Sequence, residues 1–398
     1  MTHSTVAGTD REMNTSDTPA HARVAIVGGG PAGLTLALAL HRHGVAAEIF
    51  EARERAAVRR DTRVLALSEG SRQLLERLNA WPAAAATPIE TIHISHRGHF
   101  GRTLLRASEL AVPALGWVLP ATALIESLDA AVAAAGIVYR EKQKVGAGDT
   151  ANNTASGATM AATAAYALTA WAEGAVQAAE NTTAAPIRVR DYAQHAVICT
   201  VRTAQPHAYI AWERFTDDGP VALLPLGADY ALVLTCAAAD AERIAALADA
   251  DFLALLQRRF GERQRFLAAT PREHFPLALR YRRHPVGERQ VWLGNAAQTL
   301  HPVAGQGFNL ALRDIWELAQ TLRDAADPGD PRLLAAYARG RQLDRRGAIG
   351  FTNLLVDTFT ARSSLVRQAR GAGLLALDLL PPLKQFVARR MMFGARAW

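Results

Sequence analysis

Gly28-Gly29-Gly30-Pro31-Ala32-Gly33 follows a short apolar run, Arg23–Val27, and opens a stretch of helical composition from Leu34 to Arg42. In a Gly-x-Gly-x-x-Gly spacing each glycine has its own task. Gly28 permits a tight turn, Gly30 lets backbone N–H groups approach a pyrophosphate, and Gly33 lets the helix lie close to the strand. The helix N-terminus adds partial positive charge where phosphates would sit. Glu51 ends the next strand-like run, Val45–Phe50, about 20 residues on. A carboxylate there accepts from both ribose hydroxyls and repels a 2′-phosphate. The spacing alone is weak evidence. With strand, helix and acid in order it predicts dinucleotide binding, and it does not separate FAD from NAD.

A second constellation lies far along the chain. It reads Gly294-Asn295-Ala296-Ala297-Gln298-Thr299-Leu300-His301-Pro302, then Gly305-Gln306-Gly307 at the start of another helical stretch. A Gly-Gln-Gly turn at a helix start can present backbone N–H groups to an electron-rich ring edge. Asn295, just past the strand-like Val291–Leu293, can hold a ribityl or phosphate oxygen.

This segment resembles the second FAD fingerprint of flavin-dependent aromatic hydroxylases of the p-hydroxybenzoate hydroxylase type. Asn295 and Gln298 stand where most of those enzymes have Asp and His, and in this the chain is more similar to their ubiquinone-biosynthesis branch. Further matches are Asp61–Ser68, Ile92–Gly101, Leu115–Val118, Glu213–Pro225 and Tyr337-x-x-x-Arg341-x-x-Asp344-Arg345. The likeness runs from about residue 23 to about 360 and is weakest over 142–190. There the family's Asp-Gly motif has Glu173-Gly174 as its nearest counterpart.

The resemblance implies FAD as cofactor, NAD(P)H or another reductant as a transient donor, and O2 as co-substrate. It implies hydroxylation of a polyprenylated methoxyphenol through a C4a-hydroperoxide of the flavin. Gly28, Gly30, Gly33, Glu51 and Arg63 would hold the ADP half. Asn295, Gly305, Gln306 and Gly307 would hold the ribityl and ring portions, with Glu173 on the flavin side. Pro302 would line the reaction face. His301 would either face the flavin or serve packing, and no catalytic base is assigned. The alternatives are a hydroxylase of another ring position or substrate, a flavoprotein reductase without oxygen chemistry, and a non-catalytic subunit of a quinone-synthesis assembly with other proteins of that pathway.

The elements that must position these residues follow from the pattern of the chain. Alternating strand and helix, then a β-rich middle, then helices, predicts an α/β fold: a Rossmann-like parallel sheet, an inserted antiparallel substrate sheet and a helical C-terminal region. The expected division is a disordered tail at 1–22, a discontinuous FAD-binding domain at 23–80, 109–190 and 287–330, a substrate domain at 81–108 and 191–286, and C-terminal helices at 331–398. Residues 145–185 are low-complexity Ala/Thr/Asn/Gly and read largely as loop.

Composition narrows the function classes. The 398 residues carry 44 basic and 37 acidic side chains, half the chain is apolar, and one-fifth is charged. That balance excludes a disordered chain and gives no basic run for nucleic acid. Cys199 and Cys236 lie in apolar runs and are too few for a disulfide framework, which fits a reducing cytoplasm. His93, His96 and His99 mimic metal spacing, but residues three apart on a strand face opposite ways, and no metal is expected. Residues 373–393 combine apolar side chains with Lys384, Arg389 and Arg390 and are broken at Pro381-Pro382. They read as a helix packed on the body, or as a surface in peripheral contact with the inner face of the cytoplasmic membrane.

Overall fold

The computed structural model describes residues 23–145, 165–174, 186–302, 305–360 and 364–395. The expected N-terminal tail, most of the low-complexity stretch and Val303-Ala304 of the second fingerprint lie outside the described residues.

Val24–Val27 (β1) is four apolar residues, all buried. A run apolar on both faces suits the centre of a parallel sheet covered by helices. It pairs in parallel with Ala47–Phe50 (β2) on one side and Leu168–Trp171 on the other. Val138–Arg140 extends the sheet beyond β2, and Gln290–Trp292 extends it beyond Leu168–Trp171, both in parallel. Val286–Gly287 closes one edge as an antiparallel sixth strand. Pro31–Arg42 (α1) connects β1 to β2, and every residue from Gly33 to Leu40 is buried. It packs against both Ala121–Ala134 and Gln306–Leu322, so an apolar composition all round is what its place requires.

The second sheet has nine strands. Its longest, Ile187–Thr203, pairs with Asp229–Ala237 and Glu273–Arg282 on either side. Its register shifts between Asp191 and Gln194. There Ala193 sits at φ +52° and its N–H donates to Asp191 Oδ1 at 2.8 Å. A bulge of this kind bends a strand. Strict alternation gives the sheet two faces. Val221 and Leu223 pack with Tyr230, Leu232 and Leu234 against Phe252, Leu256 and Phe260 of the covering helix. Ala222, Leu224, Val233 and Thr235 face a cavity on the other side. Gln298–Thr299 pairs with Glu273–Arg282, so the second fingerprint joins the two sheets. The fold is therefore the expected α/β architecture, with a small third sheet (Val64–Ser68, Thr87–Ile89, Gly116–Pro120) between the main two.

Three helices follow: Pro331–Thr360, Ser364–Leu379 and Pro381–Phe393. The second covers the edge strand Arg102–Arg106, where Leu104 N–H donates to Asp378 Oδ1 at 3.0 Å and Thr103 Oγ1 donates to the Leu374 carbonyl at 2.6 Å. Satisfying an edge this way removes a template for aggregation. The last helix packs on the body through Ala388 and Met392, and its three cations do not share one basic outer face. Lys384 is buried and paired with Glu109 and Asp378. Arg390 Nη2 donates to the Leu343 carbonyl at 3.5 Å, and of the three only Arg389 is exposed. A buried ammonium needs partners, and these acids supply them.

The first of these helices is fixed by a buried ionic network. Arg341 donates to Asp314 Oδ1 at 2.7 Å and to Asp344 Oδ2 at 2.5 Å, and Arg313 reaches the same Asp344 oxygen at 2.8 Å. Gln298 completes it, donating to Asp314 Oδ2 at 2.8 Å and accepting from Arg345 Nε at 2.9 Å. Burial alone would raise the Asp344 pKa. The Arg313 and Arg341 guanidiniums outweigh it and hold the carboxyl below its ordinary value. Replacing Arg341 by Met leaves Asp314 without its guanidinium and Asp344 with Arg313 in place of two, and unfolding free energy is expected to fall by about 3–5 kcal/mol. Chemical denaturation followed by tryptophan fluorescence checks this, and an unchanged midpoint would show that the network carries no stability.

Candidate active site

β1, Leu168–Trp171 and Gln290–Trp292 end level with one another: Val27 aligns with Trp171, and Trp171 with Trp292. Their carboxyl ends therefore deliver Gly28–Gly30, Ala172–Gly174 and Leu293–Asn295 to one edge of the sheet. Open α/β sheets bind ligands in that position. Ala172 N donates to the Val27 carbonyl (2.8 Å), Leu293 N to the Trp171 carbonyl (2.9 Å), and Asn295 Nδ2 to the Gly174 carbonyl (3.1 Å). Glu173-Gly174, inside the stretch that departs most from the family pattern, thus stands between the two fingerprints.

The three glycines of the first motif differ in what a side chain would meet. Gly28 adopts φ +109°, and a Cβ there would lie 2.8 Å from the Ala172 carbonyl oxygen. A Cβ on Gly33 would fall on the Gly28 carbonyl oxygen. Gly30 is the N-cap of α1, and a Cβ on it would meet nothing within 4 Å. Gly28 and Gly33 therefore serve the turn itself, whereas Gly30 faces open space.

Glu51 is buried, accepting from Gly29 N–H at 2.7 Å and from Arg53 N–H and Nε at 3.0 and 2.8 Å. Burial would raise its pKa. The bonds from Arg53 and Gly29 overcome this and keep it below the usual glutamate value, so it is an anion at neutral pH. Arg63 is exposed at the start of Val64–Ser68 and is held by Asp61, with Nε to Oδ1 at 2.9 Å. Arg53 and Arg63 are near enough to feel each other's charge.

In the second fingerprint Gly305 adopts φ +59° as N-cap of Gln306–Leu322, and its N–H donates to the Pro302 carbonyl at 2.9 Å. A Cβ on Gly307 would meet nothing within 4 Å. Gln306 is buried, its Nε2 donating to the Met391 carbonyl at 3.3 Å. His301 is buried and meets the Tyr192 ring edge-on at 5.3 Å. Burial pushes its imidazole down to about 4, so it is neutral at physiological pH.

FAD fits this edge on the structure's own terms. Three backbone positions (Gly30, Gly174, Gly307) face open space. The α1 N-terminus has no side-chain cap and no acid in its first turn. The buried Tyr139 hydroxyl, against Gly29, has no hydrogen-bond partner among the described residues. Tyr139 carried no signal in the sequence, because only strand pairing brings Val138–Arg140 beside β2. Asn309 was also missed as a site residue. Its Oδ1 accepts from Ser68 N–H (2.8 Å) and Ser71 Oγ (2.6 Å), and its Nδ2 donates to the carbonyls of Ala66 (3.0 Å) and Gly305 (2.6 Å). One amide thus ties the Gly-Gln-Gly turn to the central small sheet.

Below this edge lies a cavity of about 300 Å³. His301, Pro302 and Gln306 form its cofactor side, and the inward face of the nine-stranded sheet forms its floor. The C-terminal helices close it with Leu374, Leu377 and Met391. Its walls are mostly apolar, and Glu213 is the one acidic residue among the described residues that line it. Elsewhere, His93 stacks on Trp212, as the strand geometry requires it to part from His96. Among the described residues His96, His99 and Asp217 bring ligand atoms within 4.8 Å of one another. The Arg370 charge beside His96 opposes a cation there.

The glycine geometry separates folding from binding. Gly33→Ala is expected to fail to fold, or to unfold several degrees earlier, because its methyl group collides with backbone. Gly30→Ala is expected to fold normally and lose most of its FAD. Thermal unfolding and the absorbance of released flavin check the pair, and a Gly30→Ala protein with full flavin content would overturn the pyrophosphate assignment.

Comparisons with known proteins agree with this geometry. The family described as FAD binding domain matches residues 21–351. The chain is 30% identical to "Ubiquinone hydroxylase UbiL" of Rhodospirillum rubrum, covering 93% of this chain and 89% of that protein. It is 28% identical to "3-demethoxyubiquinol 3-hydroxylase" of Escherichia coli, covering 91% and 96%. The fold is similar to that of p-nitrophenol 4-monooxygenase PnpA from Pseudomonas putida DLL-E4, with TM-score 0.72, 16% identity and coverage of 94% and 98%. The chain belongs to the FAD binding domain family and is an FAD-dependent monooxygenase whose relatives include ubiquinone hydroxylases.

Proposed function

We propose that this enzyme hydroxylates the ring of a polyprenylated methoxyphenol in ubiquinone biosynthesis, at the carbon para to the phenol oxygen. The observation that carries the reading is the apolar cavity between the second fingerprint and the substrate sheet. Its floor of Ile92, Ile94, Ala211 and Leu224 suits an isoprenoid tail and not an aromatic acid, whose carboxylate would find no cation among the lining residues. The names of the two hydroxylase relatives support the same pathway.

The assigned residues divide the work. Gly28, Gly30 and Gly33 shape the turn for the pyrophosphate, Glu51 accepts from the ribose, and Arg63 adds positive potential. Asn295 and the Gly305-Gln306-Gly307 turn offer donors to the ribityl and ring portions, and Glu173 stands beside them. Pro302 and His301 bound the face where the substrate ring would lie. FAD, reduced by NAD(P)H or another transient donor, supplies the activation of O2. The apolar walls exclude water from the reacting groups. No second Gly-x-Gly-x-x-Gly segment is present for a resident nicotinamide. The nucleotide-binding unit is then discontinuous, comprising 23–80, 109–190 and 287–330, with 81–108 and 191–286 binding substrate.

Expression in a quinone-deficient hydroxylase mutant tests the reading. Mass spectrometry is expected to show restored quinone and loss of the accumulated methoxyphenol. Unchanged intermediates, with a yellow and folded protein, would exclude this substrate.

The reading extends to where the substrate is met. Among the described residues no helix is long and apolar enough to cross a membrane. At the bend between the last two helices, however, Leu379, Leu380, Leu383 and Phe386 are exposed, Leu379 by 67%. Such a patch rests on a lipid surface at the cost of little desolvation. Lipid contact here is apolar, because Lys384 is engaged internally. In vesicle flotation the wild type is expected to float with neutral phosphatidylcholine vesicles, and Leu380→Glu/Phe386→Glu to remain at the bottom. Binding that requires anionic lipid and survives the double substitution would place the contact elsewhere.

A further inference from the structure

One half-buried titratable group in the cavity has no role in holding the cofactor. Glu213 lies on Ile210–Phe215, in the interior of the nine-stranded sheet. Its strand neighbours at that level are Ile94 and Ala222, both apolar and both on the cavity floor. Ala211 and Phe215, two residues to either side, share its face, as alternation demands. Arg214 points to the opposite face, where Nη1 donates to Ser95 Oγ at 3.2 Å and the guanidinium sits over Phe260. Glu213 is half-buried, and its remaining surface opens into the cavity.

A carboxylate in such a place is costly. Transfer of an anion to apolar surroundings is strongly unfavourable unless a cation or several donors compensate. Among the described residues the structure gives the Glu213 carboxylate no ion pair and no hydrogen bond. No Lys, Arg or Asp lines the cavity among the described residues. The other polar residues that line the cavity are Ser68, Thr235, Gln306, Asn309 and the neutral His301. Desolvation alone pushes the Glu213 carboxyl up to about 7. A group maintained against this cost, in the cavity where the substrate ring must lie, has the attributes of a proton-transfer residue.

We propose that Glu213 is the catalytic base that takes the phenolic proton of the bound substrate, an inference that rests on the hydroxylase reading above. The phenol O–H bond breaks, the proton passes to a Glu213 carboxylate oxygen, and the electron pair stays on the phenol oxygen. The phenolate so formed raises electron density at the ring carbon that receives oxygen. His301, the other titratable group on the cavity wall, is a much weaker base, because burial disfavours its protonated form while favouring the protonated form of Glu213. The base acts only when ionised, so turnover rises with pH through about 7.

Glu213→Gln keeps the side-chain shape and removes the charge. The substituted and wild-type holoenzymes are compared with 2-methoxy-6-farnesylphenol and with its ring-fluorinated counterpart, whose hydroxyl is more acidic. Flavin content and thermal unfolding of the Gln variant are expected to match wild type. Its hydroxylation of the farnesylphenol is expected to fall by about 10²–10⁴-fold, with loss of the inflection near pH 7. The deficit should shrink with the fluorinated phenol, which needs less help to ionise. Equal deficits with both phenols, or an unchanged pH profile, would overturn the proposal. Binding, followed by the flavin absorbance change, separates this proposal from the reading beneath it. Wild type that binds the phenol with a pH dependence lost in the Gln variant, yet forms no hydroxylated product, sinks the reaction while retaining the carboxylate's contact with the phenol. Wild type that binds no phenol overturns both.

Discussion

Three parallel strands that stop at one level are the constraint on which this enzyme is built. Because Val27, Trp171 and Trp292 are aligned, three loops distant in the chain turn over the same edge. Each loop then meets the backbone of the others, and side chains have no room at the closest points. Gly28 lies against the Ala172 carbonyl, and Gly294, at φ +57°, against Ala32. The glycines are therefore consequences of strand register as much as of the nucleotide. This also explains how the altered 165–174 stretch keeps its place. Its strand is held by main-chain pairing on both sides, which is indifferent to side-chain identity.

From that edge the order propagates outward through polar side chains. Asn309 links the Gly-Gln-Gly turn to the small sheet, Ser68 Oγ donates to the Met392 carbonyl at 2.8 Å, and Gln306 reaches Met391. The cofactor side of the cavity and the helices that roof it are thus one connected structure. The buried Asp314–Arg341–Asp344 cluster anchors the helix from which that roof extends. Interior charge is tolerated in this cluster because every carboxylate oxygen is met by a guanidinium, an amide or a backbone N–H. Glu213 is the counterexample within the same molecule, a half-buried acid that has no such partners among the described residues.

The sequence made much of this legible, and the reason is local. A strand, a glycine turn and a helix in succession state their own geometry. The acid that ends β2, Glu51, could be assigned because it follows at a spacing the β-α-β unit sets. The Tyr337–Arg345 segment was visible as a family likeness without a role, and only packing revealed that its charges answer Asp314 and Gln298. For residues 373–393 composition left two readings open, a packed helix and a lipid-facing surface, because the partners that let Lys384 be buried, Glu109 and Asp378, lie outside its own helix.

The sequence by itself therefore determined the α/β class and the two glycine-rich turns, which depend on residue types at short spacing that neighbouring backbone geometry decodes. FAD as the cofactor and the hydroxylase family were legible through the resemblance of the second fingerprint and not through spacing. The tertiary structure alone decided that Glu173-Gly174 sits between the fingerprints, that Tyr139 lies against Gly29 and Asn309 holds Gly305, and that Glu213 stands in a mostly apolar cavity with no partner among the described residues. These depend on which distant segments meet, and on how much water their meeting removes from a charge. Desolvation and partner geometry are properties of the assembled interior, and no stretch of chain carries them on its own.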